Sequence, residues 1–361
     1  MKKNSLLLRM VVLVAAMMCA LGASAAEAYA CYTTSNTTLT FYYDNYRSSR
    51  TGTTYDLNPG GSNPSWSTDG TNVNVTKVVF DPTFAQARPT STVGWFYHMD
   101  NLQSITGISF LNTSEVTNMS YMFQYCGLLT SIDVSHFNTE KVLSMAYMFG
   151  NCVGLTSLDV SNLNTSNLRS VAGMFSQCID LKSVNVSNLN TSLVVSFDNM
   201  FDCCYDLTTL DLSSFNTSMA NMMSSMFRSC YNLRTIYVGD EWSTAYVTSS
   251  SSMFIGCRSL VGGQGTTYDA SHTDKAYAHI DGGTSNPGYF TDKNANKRGD
   301  VDGNSDVNMD DLTALINYLL TSNSTGVNMA NAATCDSPSS TVVNMDDLTA
   351  LINYLLTNTW P

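Results

Sequence analysis

Between residues 116 and 260 the apolar positions recur in one fixed order. In one copy Met145, Met148, Phe149 and Cys152 stand at i, i+3, i+4 and i+7, the spacing of one helix face, and Leu155, Leu158 and Val160 follow at strand-like spacing. Ser157, Asp159 and Ser161 alternate with the latter and point the other way. A polar turn, Asn162 to Ser166, ends the copy. The phenylalanines fall at Phe123, Phe149, Phe175, Phe201, Phe227 and Phe254, and a cysteine follows each by three residues, from Cys126 to Cys257. The step is 26 residues four times and then 27. A period of that size marks a stacked repeat, because one copy cannot bury its own apolar face and needs a neighbour on each side.

The pattern predicts an α/β repeat solenoid in which strand, turn, short helix and return make up each coil and neighbouring strands form a parallel sheet. Trp95 to Leu102 reads as a worn first copy, with Phe96 at the Phe position and Met99 at the Cys position. Ahead of it, Thr38–Tyr43 and Val75–Phe80 read as strands, which predicts a β-rich cap over the first open edge. After the repeats, the pairs Gly262-Gly263 and Gly282-Gly283 break the pattern, and Tyr277 to Ile280 is expected to add a last capping strand.

One cysteine per copy, always at the same phase, would place the thiols in a row of nearly parallel side chains. That geometry suits packing better than the crossed arrangement of a disulfide. Cys203, beside Cys204, lies at a variable position, and Cys335 lies outside the repeats.

Residues 1–25 read as a secretory signal peptide: Lys2, Lys3 and Arg9, then the apolar run Met10–Leu21, then Ala23-Ser24-Ala25. No later stretch is apolar for long enough to span a bilayer, so an extracellular, secreted or surface-associated protein is expected, with Cys31 weighed and set aside as a lipidation point. The formal charge is −12, and losing those three cations makes it more negative still, which argues against a nucleic-acid partner.

From Gly299 onward there are eight acidic residues and no Lys or Arg. Val307–Thr321 is repeated residue for residue at Val343–Thr357, each copy an amphipathic helix with leucines on one face. In front of the first helix, Asp300, Asp302, Asn304, Asp306, Asn308 and Asp311 occupy positions 1, 3, 5, 7, 9 and 12 of a loop. Oxygen donors at that rhythm suit a hard cation, Ca2+ above all. The second loop is poorer. Asp336, Asn344 and Asp347 keep positions 1, 9 and 12, while Pro338 and Val342 replace ligands.

Two resemblances follow from these residues. The run N-T-S-x-V-x-x-M-x-x-M-F-x-x-C, seen at Asn112–Cys126 and again from Asn216, resembles the BspA-type leucine-rich repeat of bacterial surface proteins over roughly residues 27–291. It implies a recognition or adhesion role with an unknown protein or glycan as ligand. The paired half-loops, each ending in Asp before L-T-A-L-x-x-Y-L-L, resemble a dockerin, a small all-α module. That resemblance implies side-chain Ca2+ ligands at Asp300, Asp302, Asn304 and Asp311, a backbone carbonyl at Asp306, and Asn308 acting directly or through water. It also implies a cohesin-like partner chosen in part by Met309-Asp310 and Met345-Asp346. The expected organisation is signal peptide 1–25, cap 26–94, repeats 95–261, C-terminal cap 262–291, linker 292–298 and dockerin 299–358. His98, His136, His272 and His279 are scattered, and no nucleophile motif appears. A binding protein is therefore expected over an enzyme, the alternative being an accessory or catalytic subunit of an extracellular polysaccharide-degrading complex. At strand spacing Asp133 and Asp159 are expected to be repelling neighbours on the outer face.

Overall fold

A computed structural model describes residues 25–58, 60–293, 300–302, 307–333, 335 and 342–357. Nearly all of the expected signal peptide and the linker from residue 294, together with Asn304, Asp306, Asp336 and Pro338, lie outside the described residues. Contacts divide the chain into two units, with the division after Asp292.

The first unit opens on a five-stranded sheet of order β3-β1-β2-β4-β5. Its strands are β1 (Glu27–Thr33), β2 (Thr38–Asp44), β3 (Thr53–Asp56), β4 (Lys77–Phe80) and β5 (Ser104–Thr106). β1 pairs antiparallel with β2 and β3, whereas β2–β4 and β4–β5 are parallel. The sheet thus changes from hairpin pairing to the parallel pairing that the repeats need. Phe41 lies at its centre, stacked on Phe80 and Trp95 with centroids 4.7 and 4.9 Å away.

Beyond β5 each repeat lies beside the next in parallel register. β6 (Ser157–Asp159) pairs with β7 (Ser183–Asn185), and β8 (Thr209–Leu212) with β9 (Thr235–Val238). On the opposite side, single parallel bridges join Asn118, Ser144, Ser170, Ser196, Met222 and Ser249 in sequence. Leu158, Leu210 and Ile236 point inward and are buried, while Ser157, Asp159 and Asp211 point out. The buried Phe123, Phe149, Phe175, Phe201, Phe227 and Phe254 form one column, with centroids 5.5–6.0 Å apart and planes within 15° of parallel. Each such ring contributes on the order of 1.5–3 kcal/mol by leaving water.

The short helix expected over Met145–Cys152 is not formed. The N–H groups of Met148, Gly150 and Cys152 bond back three residues, to Met145, Tyr147 and Phe149, and those of Met145, Tyr147, Phe149 and Asn151 cross to the next repeat. An α-helix would instead bond each N–H beyond its first turn to the carbonyl four residues back. Here two residues per repeat take left-handed backbone, such as Tyr147 (φ 53°) and Asn151 (φ 58°), so that alternate N–H groups turn outward to the neighbouring repeat. The i, i+3, i+4, i+7 spacing still marks the buried residues. It simply belongs to a ribbon of tight turns.

Side chains extend this linkage between repeats. Phe149 O accepts the Cys152 N–H (3.2 Å) and also the Cys178 thiol of the next repeat (3.1 Å), which satisfies both of its lone pairs. The same thiol bond recurs from Cys126 onto Phe96 O and from Cys152, Cys204, Cys230 and Cys257. All described cysteines are free thiols. Cys203 is half-buried, its thiol 3.3 Å from Asp202 Oδ1. Buried threonines make a second ladder. Thr113, Thr139, Thr165 and Thr191 each donate to the carbonyl of the Asn in the following N-T turn, at 2.8–3.1 Å.

The C-terminal cap also differs from expectation. Tyr277–Ile280 is not a strand. Lys275–Tyr277 is a 3-10 turn and Ile280 makes one bridge, to Phe290. The last strand is β10 (Thr291–Asp292), parallel to β9. Asp281, a buried carboxylate that the sequence pattern did not single out, holds this cap. It accepts the Thr266 hydroxyl (2.7 Å) and the N–H groups of Gln264, Thr266 and Gly283 (2.8–3.0 Å).

Candidate calcium site and recognition surface

The second unit contains α1 (Met309–Thr321), α2 (Met329–Ala333) and α3 (Met345–Thr357). Leu315 and Leu351, equivalent residues of the two copies, are buried together with Val301, Ala332, Cys335 and Ala350. α1 begins at a capping box. Asn308 Oδ1 accepts from Asp310 N–H (2.7 Å), and Asp311 Oδ2 accepts from Asn308 N–H (2.7 Å). The other oxygen of Asp311 accepts from Asp302 N–H at 3.1 Å, so one carboxylate ties the loop to the helix. Asn331 Nδ2 donates to Asp300 O (2.7 Å) and Asn328 N–H to Val301 O (2.6 Å), fixing the start of the loop against α2.

This bracing brings carboxylate oxygens of Asp300, Asp302 and Asp311 within 4.8 Å of one another. Asp300 and Asp311 are buried and Asp302 is half-buried. Three carboxylates so close repel each other, and a divalent cation with a preference for oxygen relieves that repulsion by binding all three. The donor set fits Ca2+, which Asp300, Asp302 and Asp311 would hold and whose charge would offset theirs. The Asn308 side chain is engaged as the helix cap. In the second copy Asn344 and Asp347 repeat this local arrangement: Asp347 Oδ2 accepts from Asn344 N–H (2.8 Å) and Asn344 Oδ1 from Asp346 N–H (2.6 Å). Asp347 is buried as Asp311 is. Among the described residues, no other group of three or more His, Cys, Asp and Glu is placed to hold a metal.

Residues 298–356 match the model of the dockerin type I domain. The C-terminal unit is a type I dockerin. Type I dockerins bind calcium, and their partner is a cohesin. Met309 and Met345 are both about three-fifths exposed in this dockerin, and Leu320 and Leu356 almost four-fifths, so the two copies carry equivalent apolar side chains to the surface. In the repeats, residues 90–184 and 157–267 match a model described as "Mycoplasma protein of unknown function, DUF285". A crystal structure of a leucine-rich repeat protein from Bacteroides ovatus covers 65% of this chain and 80% of its own at 14% identity, with a TM-score of 0.21, too low to carry an argument. Comparison with curated proteins finds no match.

The outer strand positions carry Ser131, Asp133, Ser157, Asp159, Ser183, Asn185, Thr209, Asp211 and Tyr237, and a shallow depression runs over residues 131–185 of this face. The expected repulsion between Asp133 and Asp159 does not dominate there. Asp159 Oδ1 accepts the Ser161 hydroxyl (2.7 Å) and N–H (2.9 Å), and Oδ2 accepts from Asn185 Nδ2 (3.2 Å). The hydroxyl and N–H of Ser161 lower the Asp159 pKa below the usual carboxylate value, and those of Ser135 do the same for Asp133. Each acid closes an Asp-x-Ser turn, a local role that the repeat spacing concealed.

Proposed function

We propose that the chain is an extracellular recognition protein whose repeats form a leucine-rich-repeat-like solenoid with a ligand-binding surface and whose dockerin couples that surface to a cohesin-bearing partner. The organisation taken for it is signal peptide, β-rich cap to residue 94, repeats 95–261, C-terminal cap 262–291, linker, and dockerin 299–358. The observation that carries the reading is the convergence of Asp300, Asp302 and Asp311 at the start of α1, within the segment matched by the type I dockerin model. Asn304 and Asp306 would complete the first Ca2+ loop, and Asp336, Asn344 and Asp347 the second.

The role is non-catalytic. Periodic acids of the repeats serve turns, as Asp133 and Asp159 do, and the histidines make separate local contacts. In a polysaccharide-degrading complex such a chain would be an accessory subunit. The test is capture of immobilised type I cohesin by the full chain in Ca2+ and in chelator. Retention in Ca2+ that is lost in chelator is expected, whereas no retention in either condition overturns the docking role. Release of reducing sugar from neutral polysaccharides would overturn the non-catalytic one.

A further inference from the structure

The repeats contain two series of left-handed residues. One runs Gly94, Tyr121, Tyr147, Gly173, Asn199, Ser225, Ser252, and the other His98, Tyr125, Asn151, Gln177, Cys203, Ser229, Gly256. Most members are small or carry a short polar side chain, the types that tolerate this backbone best. Three tyrosines break the rule, Tyr121, Tyr125 and Tyr147, all within the first three repeats. A bulky ring held in that conformation is an outlier that the surrounding structure must enforce.

The surroundings are fitted to these rings. Tyr121 and Tyr147 stack at 5.7 Å with planes 8° apart, and His98 and Tyr125 at 3.9 Å and 10°. Gly173 lies against the Tyr147 ring so closely that a Cβ there would fall 2.2 Å from a ring carbon. Tyr97 stands nearly perpendicular to His98, Tyr121 and Tyr125, at 4.6–6.5 Å, and joins the two stacks. The rings remain partly open to solvent: Tyr121 and the His98 side chain are each 38% exposed. Resting on the reading of the repeats as a binding surface, we propose that Tyr97, His98, Tyr121, Tyr125 and Tyr147 form a platform for a short stretch of neutral oligosaccharide.

Size and charge select that ligand. Tyr121 and His98 are a little over a third exposed and Tyr97, Tyr125 and Tyr147 are half-buried, so the five rings offer at most on the order of 300 Å2, against roughly 800 Å2 per partner in a standard protein interface. That area suits two or three sugar rings, whose C–H faces meet aromatic carbon while their hydroxyls meet phenol oxygens. Asp100, exposed beside His98, and the half-buried Asp198 disfavour an anionic polymer, while Asp202 is buried and paired with Arg228.

The test is calorimetric titration of the full chain in Ca2+ with cellohexaose, xylohexaose and mannohexaose, with a sulfated oligosaccharide for comparison. The variants are Tyr121→Asn with Tyr125→Asn, the residue already present at equivalent positions as Asn199 and Asn151, and Asp159→Ala with Asn185→Ala on the strand face. A neutral hexasaccharide is expected to bind, and the tyrosine pair to weaken it at least tenfold with Tm unchanged or raised, because asparagine tolerates the left-handed backbone better. A tyrosine pair that lowers Tm and leaves binding intact makes the cluster structural and overturns the platform. Loss of binding only in the strand-face pair overturns the platform but leaves the binding role of the repeats standing. No binding by any neutral hexasaccharide, or preference for the sulfated one, overturns the platform, while the cohesin reading is judged by its own assay.

Discussion

The Cys178 thiol fills core volume and donates to Phe149 O, and that second task separates cysteine from alanine or valine at the position. Burial pushes the pKa of Cys178 and Cys257 up to about 12, and those of Cys152, Cys204 and Cys230 upward too. The thiolate is the reactive form, so mass spectrometry after iodoacetamide at pH 8 is expected to find the repeat cysteines unmodified in the native chain and modified once it is unfolded. Cys178→Ala removes both volume and donor and is expected to cost roughly 1–3 kcal/mol in denaturant unfolding. Asp281 gives a pH signature. Burial opposes its charge, but the Thr266 hydroxyl and the N–H groups of Thr266, Gly283 and Gln264 outweigh that and bring its pKa to about 2, from an ordinary 3.8. A depressed carboxylate pKa stabilises the fold above the unfolded value, and the stabilisation is lost as pH falls through the folded one. Asp281→Asn is therefore expected to cost about 2 kcal/mol at pH 7. The gap from the natural chain should close between pH 4 and pH 2 in a Tm-versus-pH series.

At the scale of elements, inward positions were legible in the sequence and backbone paths only in part. Met145, Met148, Phe149 and Cys152 are buried as their spacing requires, yet they line a ribbon of turns. Buried spacing reports which side chains share a face, and that ribbon and a helix share the same one. What decides between them is where the alternate N–H groups go, and their acceptors lie in the next repeat, 25 residues away. β1 and β3 were missed because Glu27–Thr33 and Thr53–Asp56 owe their pairing to β2 and to each other more than to any alternation of their own. The dockerin loop was more legible, since its acidic residues lie close together along the sequence. Asp300, Asp302 and Asp311 converge, whereas the capping role of Asn308 appears only when the α1 start is seen. Asp311→Ala is expected to abolish the tighter Ca2+ event in calorimetry, and Asp347→Ala to affect only a weaker second one. Equal effects of the two would show that the loops are equivalent.

For the whole molecule, the two units have separate cores, one built around the phenylalanine column and one around Leu315 and Leu351. Metal binding to a small module is part of its folding free energy. Scanning calorimetry is expected to show two transitions, of which chelator shifts one down by ten degrees or more and leaves the other in place. A single transition that moves as a whole would contradict this division.

The direction of the bonds between repeats has a consequence for how such a chain grows. Each repeat sends its alternate N–H donors and its threonine hydroxyl forward to the next repeat and its cysteine thiol back to the preceding one, so a copy inserted between two repeats meets the partners its neighbours already had. Lengthening by one 26-residue unit therefore poses no new folding problem. Surface residues such as Tyr121 or Asp159 are left free to diverge, while the bonds that fix the register are inherited whole.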